Sequence, residues 1–289
     1  MPFLTTPDYL LESLTELAEG PLKKNASRVD QEQRWLAENI KLIQKAGLGG
    51  LLVSKEFGGH GQGLLTMARA CEILGASCAS TSMCFGMHLV GSAVIASKAT
   101  KYHQEKFLGP IADGKHWTTL SLSEPGTGSH FYVPQTEMVN KNGNLVVNGM
   151  KSFVTNGGEA DSYVLSAVVP AGDHSIGEFS CVIVPGDSKN MEWSKNWEGI
   201  GMRGNSSKSV VLKDVSVPAE NLLGNLGDQI WYVFEVVAPN FLIAMSGTYL
   251  GIAEAALTEA KEHLIKRSYG HTGESLASVS TLQHRIGQL

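Results

Sequence analysis

The chain has 289 residues, 43% apolar and 18% charged, a balance that fits a folded globular protein and excludes a disordered one. Its 23 basic and 28 acidic residues leave a net charge of −5, which argues against a nucleic-acid-binding surface spread over the molecule. The four cysteines, Cys71, Cys78, Cys84 and Cys181, form no Cys-x-x-Cys pair, and no two histidines have zinc-ligand spacing; this excludes a disulfide scaffold and points to buried thiols and no metal site. The N-terminal segment lacks a basic start and a long apolar core, and no unbroken run of about 18 apolar residues occurs, so the expected setting is the cytosol, with no membrane span.

The first stretch, residues 1–116, reads as a helical domain. Leu10, Leu11, Leu14 and Leu17 recur at helical spacing. A second helix is expected from Asp30 as N-cap, with Leu36, Ile40 and Ile43 on one face and Gly47 after its end. Leu64 to Leu74 reads as a further helix. Ser80 to Val94 is apolar nearly all round, which marks a buried helix. His88 within it reads as a hydrogen-bonded core histidine.

The period changes near Trp117, and residues 117–220 read as an antiparallel, barrel-like β-domain. Leu120 and Leu122 alternate with Ser121 and Ser123. Asn142-Gly143 marks a hairpin between Met138-Val139 and Leu145 to Val147. Further strands are expected at Phe153 to Thr155, Tyr163 to Val169, Phe179 to Val184 and Ser209 to Val217. Turn chemistry stands between them at Asn148-Gly149, Asn156 to Gly158, Pro170 to Asp173 and Pro185 to Asp187. Residues 221–289 return to helical spacing, as a partial C-terminal bundle. Ile243, Leu250, Leu257 and Leu264 repeat every seven residues, with Ser246, Ala253 and Ala260 in the other seam position; this predicts a closely packed helix–helix seam. The fold class is therefore α+β, in the order helical, β, helical.

The segment Leu120-Ser-Leu-Ser-Glu-Pro-Gly-Thr-Gly-Ser129 carries the clearest chemistry. Its glycines allow close backbone approach, and successive N–H groups can cradle an anion, although a plain glycine turn accounts for Gly-x-Gly equally well. Strands follow it, which disfavours a Rossmann nicotinamide site. In Asn148-Gly-Met-Lys-Ser-Phe-Val-Thr-Asn-Gly-Gly158, strand alternation sends Phe153 and Thr155 to one face, where an aromatic and a hydroxyl make a wall for a flat heterocycle.

These two motifs resemble the acyl-CoA dehydrogenase family. So do Lys55-Glu-Phe-Gly-Gly59, Gly199-Ile-Gly-Met-Arg-Gly204 and Leu212-Lys-Asp-Val-Ser-Val-Pro-Ala-Glu-Asn-Leu-Leu-Gly224, in the same order. The resemblance implies a helical domain, a β-domain and a four-helix bundle, with FAD and an acyl-CoA thioester between them. It implies an electron acceptor such as an electron-transfer flavoprotein, and a homo-oligomer, usually a tetramer. By position it gives the flavin Leu120, Leu122, Ser123, Gly128, Ser129, Phe153 and Thr155, and gives Ser129 a second contact with the substrate's CoA portion. Lys266 and Gln283 stand where residues reach a neighbouring subunit's FAD. The reaction implied is α,β-dehydrogenation, with a carboxylate taking the α-proton and the β-hydride passing to the flavin.

The chain departs from the pattern in places. His130 replaces the aspartate of Gly-Ser-Asp, and Lys266-Arg-Ser-Tyr-Gly270 replaces Arg-x-x-Phe-Gly. The family's usual glutamate base falls beyond Leu289. Where a subset places it earlier, this chain has Phe241, with Glu235 nearby but out of register, so no catalytic base is named. Two alternatives stay open: an oxygen-using monooxygenase or oxidase of the same fold, and a catalytically silent flavin- or acyl-CoA-binding protein.

Overall fold

In a computed structural model of the protein, the structure describes residues 8–169, 178–195, 197–228 and 230–289. Helix α1 (Asp8–Leu17) buries Leu10, Leu11 and Leu14. A π-helical turn, Ala18–Leu22, carries Pro21, which has no N–H to give, and leads into α2 (Lys23–Glu32). α2 stops at Gln33, whose backbone is left-handed (φ 50°), and α3 (Ala37–Lys45) starts anew with Ile40 and Ile43 inward. Asp30 is thus not an N-cap. It lies in the last turn of α2, and its carboxylate instead holds Arg203. The expected helix is interrupted because the chain must turn to bury Leu36. Gly47 does follow α3 in the left-handed conformation (φ 73°).

Helices α4 (Leu64–Ser77) and α5 (Ala79–Ser97) form the centre of the helical domain, followed by the short α6 (Lys101–His103) and α7 (Gly109–Ala112). By length and composition α5 and the helical run 232–266 could each cross a membrane, but 78% of the α5 window is buried inside the protein. All four cysteines are buried. His88 on α5 is fully buried, stacked on Trp117 with centroids 3.8 Å apart. Its Nε2 donates to the Gly49 carbonyl (3.0 Å), and its Nδ1 accepts from the Thr118 N–H (3.1 Å). Burial pushes it down to about 4, so the ring is neutral and structural.

The middle domain has two four-stranded sheets. One is ordered β1 (Thr118–Ser121), β4 (Ser162–Ala167), β5 (Ser180–Pro185), β8 (Leu222–Leu223). The other is ordered β2 (Glu137–Lys141), β3 (Asn144–Val154), β7 (Lys208–Pro218), β6 (Met191–Trp193). Asn142 and Gly143, both at positive φ, close the β2–β3 hairpin as its spacing predicts. Two expectations need correction. β1 and β4 pair in parallel, because the chain leaves the first sheet to build that hairpin before returning. Asn148-Gly149 is not a turn: β3 runs through it with a register shift, and the Asn148 side chain exchanges two hydrogen bonds with Asp214 on β7. The expected Pro170 to Asp173 turn lies outside the described residues.

Helix α8 (Ala238–Lys266) follows a π-helical segment, Tyr232–Val237. It packs on α4 through Gly247, Thr248 and Gly251, and on Gly86 of α5 through Ala244, rather than through the seven-residue apolar row. A Cβ at Gly247 would collide with the Ala68 carbonyl, and one at Gly251 with that of Glu72, so small residues let the two backbones touch. Leu250 is left exposed, Ile243, Leu257 and Leu264 are half-buried, and Ser246, Ala253 and Ala260 are exposed. The heptad spacing is real, but the face with no side chains in the way wins the contact. Helix α9 (Ser280–Gly287) has no buried residue.

Candidate functional site

A cavity of about 630 Å³ opens where α5, β1, the end of β3, the β6–β7 loop and α8 converge. Met83 and Met87 form its α5 wall, and Phe241, Met245 and Tyr249 its α8 wall. Leu120, Ser121, Leu122 and Ser123 come from β1 and the residues after it, and Phe153 and Thr155 from β3 and its end. Five of the residues singled out from the sequence therefore meet in one place: Leu120, Leu122, Ser123, Phe153 and Thr155. Alternation alone does not bring Phe153 there. Its backbone is left-handed (φ 55°), the register shifts between Lys151 and Val154, and its ring is 69% exposed while Thr155 is buried. Thr155 Oγ1 lies 3.3 Å from Ser207 Oγ.

The two motifs are fastened together underneath this wall. Lys151, fully buried on β3, donates to Glu124 Oε1 (2.6 Å), the Ser166 carbonyl (2.7 Å), Ser166 Oγ (3.0 Å) and the Leu122 carbonyl (3.4 Å). Glu124 also accepts from the Gln135 N–H (2.6 Å) and the Thr136 N–H (3.1 Å). Burial pushes the Lys151 ammonium down to about 8, against the pull of Glu124. Burial pushes the Glu124 carboxyl up, yet the charge and hydrogen bond of Lys151, with the two N–H groups, hold it below its ordinary value. The Ser152 N–H donates to the Ser123 carbonyl (2.8 Å). The site is thus a pinned double wall, not one flexible glycine loop.

Other ties fix this wall to the helices. Asn156 accepts from Trp35 Nε1 (3.0 Å) and donates to the Cys84 carbonyl (3.1 Å). Arg203 makes two bonds to Asp30 Oδ2, at 3.1 and 3.0 Å, securing the glycine-rich loop whose Met202 lines the cavity.

Gly128 and Ser129 are exposed in the turns after Glu124 and are not on the cavity lining. His130, beside them, is exposed and meets Tyr132 edge-on. Lys266 and Gln283 also lie apart from the cavity. Lys266 pairs with Glu262 at 2.6 Å, 17 residues beyond Tyr249, or about 25 Å along a helix. Gln283 donates to the Ala277 carbonyl (2.7 Å). Glu235 is exposed and off the lining, and no Asp or Glu lines the cavity among the described residues.

Sequence reasoning passed over Ser121, Trp197 and the Glu124–Lys151 pair. The pair did leave a signal: an acid and a lysine, each set within an otherwise apolar or hydroxyl-bearing strand motif. Buried Ser121 Oγ and Trp197 Nε1 both belong to cavity-lining residues and find no hydrogen-bond partner in the protein. An apolar cavity with unpaired polar atoms in its walls fits a flat, partly polar ligand.

Comparison with known proteins gives the same direction. The family model for the acyl-CoA dehydrogenase N-terminal domain matches residues 7–115, and that for the middle domain matches residues 119–215. A short-chain-specific acyl-CoA dehydrogenase from Clostridium acetobutylicum is 30% identical over 261 residues, covering 90% of this chain and 68% of that protein. A chain solved in work on the electron transferring flavoprotein of Acidaminococcus fermentans superposes with a TM-score of 0.92 at 27% identity, over 100% of this chain and 76% of that one. The butyryl-CoA dehydrogenase of Megasphaera elsdenii shares the fold, with a TM-score of 0.91 at 24% identity and the same coverage.

Proposed function

Because this chain belongs to the acyl-CoA dehydrogenase family, we propose that it is an FAD-dependent enzyme that removes hydrogen from the α and β carbons of an acyl-CoA thioester. The observation that carries this reading is the wall itself, where Glu124–Lys151 locks Ser123 and Phe153 onto one cavity. FAD, when bound, supplies the acceptor for the hydride leaving the substrate's β-carbon. Ser121, Ser123 and Thr155 offer hydroxyls to the cofactor's polar edge, and the orphaned Ser121 Oγ supports that fit. Leu120, Leu122 and Phe153 give the apolar surface that excludes water, which strengthens each hydrogen bond formed there. Met83, Met87 and Met245 offer adaptable apolar surface to an acyl chain. The lining residues bind and orient; none of them is a carboxylate placed to take the α-proton. Gly128 and Ser129, at the exposed turn, remain proposals for the cofactor and CoA, as do Lys266 and Gln283 for a neighbour's cofactor.

The proposal includes an electron-transfer flavoprotein as acceptor and a homo-oligomeric assembly. The assembly is supported by the exposed apolar side chains of α8, among them Leu242, Tyr249, Leu250 and Ile265. The test is to titrate the purified chain with FAD and then add saturated acyl-CoAs of increasing length without oxygen. Uptake of FAD followed by bleaching of its visible band is the expected result. Protein that takes up no FAD would overturn the reading, and FAD uptake without bleaching would leave a binding protein instead.

A further inference from the structure

The β6–β7 loop supplies a cavity residue to which nothing above assigns a role. Trp197 lines the cavity beside Phe153, with ring centroids 6.4 Å apart and planes at 87°. Its indole folds back on Gly199, where a Cβ would come within 2.6 Å of Nε1, so a glycine is needed for the ring to lie there. Nε1 is buried and has no acceptor within the protein. An N–H left without a partner is costly, and it is explained when a ligand brings the acceptor. Strained backbone marks the same rim: Phe153 (φ 55°) and Met202 (φ 50°) both line the cavity, and both hold a left-handed conformation without being glycine. Aromatic ring, lone donor and strain therefore coincide on one edge of the cavity.

Resting on the FAD reading, we propose that Trp197 is a cofactor-positioning residue. Its indole N–H donates to an acceptor of the bound flavin, and the Trp197–Phe153 pair forms the rigid aromatic edge against which the ring is set. A flavin ring carries carbonyl and ring-nitrogen acceptors on a flat frame, which matches a donor and an aromatic edge side by side. The acyl thioester offers one carbonyl and a flexible chain.

The test is FAD titration of the purified chain, followed by flavin fluorescence and the shape of the visible absorption band, with no substrate present. Trp197→Phe keeps the ring and removes the donor, and it should weaken FAD binding about tenfold, the loss of one hydrogen bond to a buried group. The bound flavin's band should also change shape. Trp197→His, which restores an N–H, should recover part of the affinity. Circular dichroism and thermal unfolding should match the wild type in both variants. Trp197→Phe binding FAD within about twofold of wild type, with an unaltered band, overturns the assignment and leaves the FAD reading standing. So does a defect confined to acyl-CoA titrations of FAD-loaded protein. Wild-type protein that takes up no FAD overturns both.

Discussion

Replacing Lys151 by methionine tests the pinned wall directly. The ammonium reaches four acceptors, and every one of them is buried. Removing it leaves Glu124 buried with two backbone N–H groups and no cation. Breaking a buried ion pair from one side costs about 3–5 kcal/mol. The pair carries its own expense, however. The descent of Lys151 from 10.5 to about 8 means that holding its charge inside already costs roughly 3 kcal/mol relative to water. The double variant Lys151→Met/Glu124→Gln is relieved of that expense, so it should be less destabilised than Lys151→Met alone, by about 1–2 kcal/mol.

The two proteins should also respond to pH in opposite senses. In the wild type the Glu124 value is lowered, so its stabilisation is complete above 4.5 and is lost as pH falls through the lowered value. In Lys151→Met, burial, the largest influence on Glu124, is opposed only by the Gln135 and Thr136 N–H groups, so the value rises and is expected to pass above 4.5. The native state then binds more protons than the unfolded chain in that window, and stability falls as pH rises through it. Urea unfolding curves over a pH series measure both effects. A Lys151→Met protein within about 1 kcal/mol of wild type, or a double variant as weak as the single one, would refute this account.

Three other perturbations have definite outcomes. His88→Gln keeps a donor for Gly49 and an acceptor for Thr118 but cannot titrate. Wild-type stability should fall by about 3 kcal/mol more than the variant's as pH drops from 6.5 towards 4, because the unfolded chain alone binds the His88 proton in that range; parallel curves would contradict this. Gly251→Ala should push α8 off α4 and lower stability by about 1–3 kcal/mol, while Gly270→Ala, with nothing within 4 Å, should be near neutral; equal melting temperatures would count against the backbone contact. Ser121→Ala removes an unpaired hydroxyl, so the FAD-free protein should hold or gain up to about 1 kcal/mol while FAD binding weakens; a loss of FAD-free stability would contradict it.

Much of the architecture was legible because it rests on local pattern. The leucines of α1, the apolar α5 and the Asn142-Gly143 hairpin each declare themselves within a few residues. Three features were not, each for a different reason. The break after α2 depends on one left-handed residue, Gln33, and on the burial of Leu36, neither of which helix propensity expresses. The packing face of α8 was set by backbone proximity at Gly247 and Gly251, which outweighed a longer row of larger residues. At the site, the hydroxyls and aromatics stood out by residue type, while the register shift that turns Phe153 to the cavity and the Glu124–Lys151 pair, 27 positions apart, are tertiary features that no local pattern expresses.

The parallel pairing of β1 with β4 has a consequence for how binding competence is acquired. Thr118 must find Ser162 across 44 residues, and the β2–β3 ribbon has to be laid down inside that interval. Closing so long a span costs chain entropy before any contact rewards it, so such pairings lag behind local helices and hairpins. Refolding should therefore regain most of its helical signal early and its capacity to capture a ligand late. On unfolding the order reverses, and capture is lost while much of the helical signal remains.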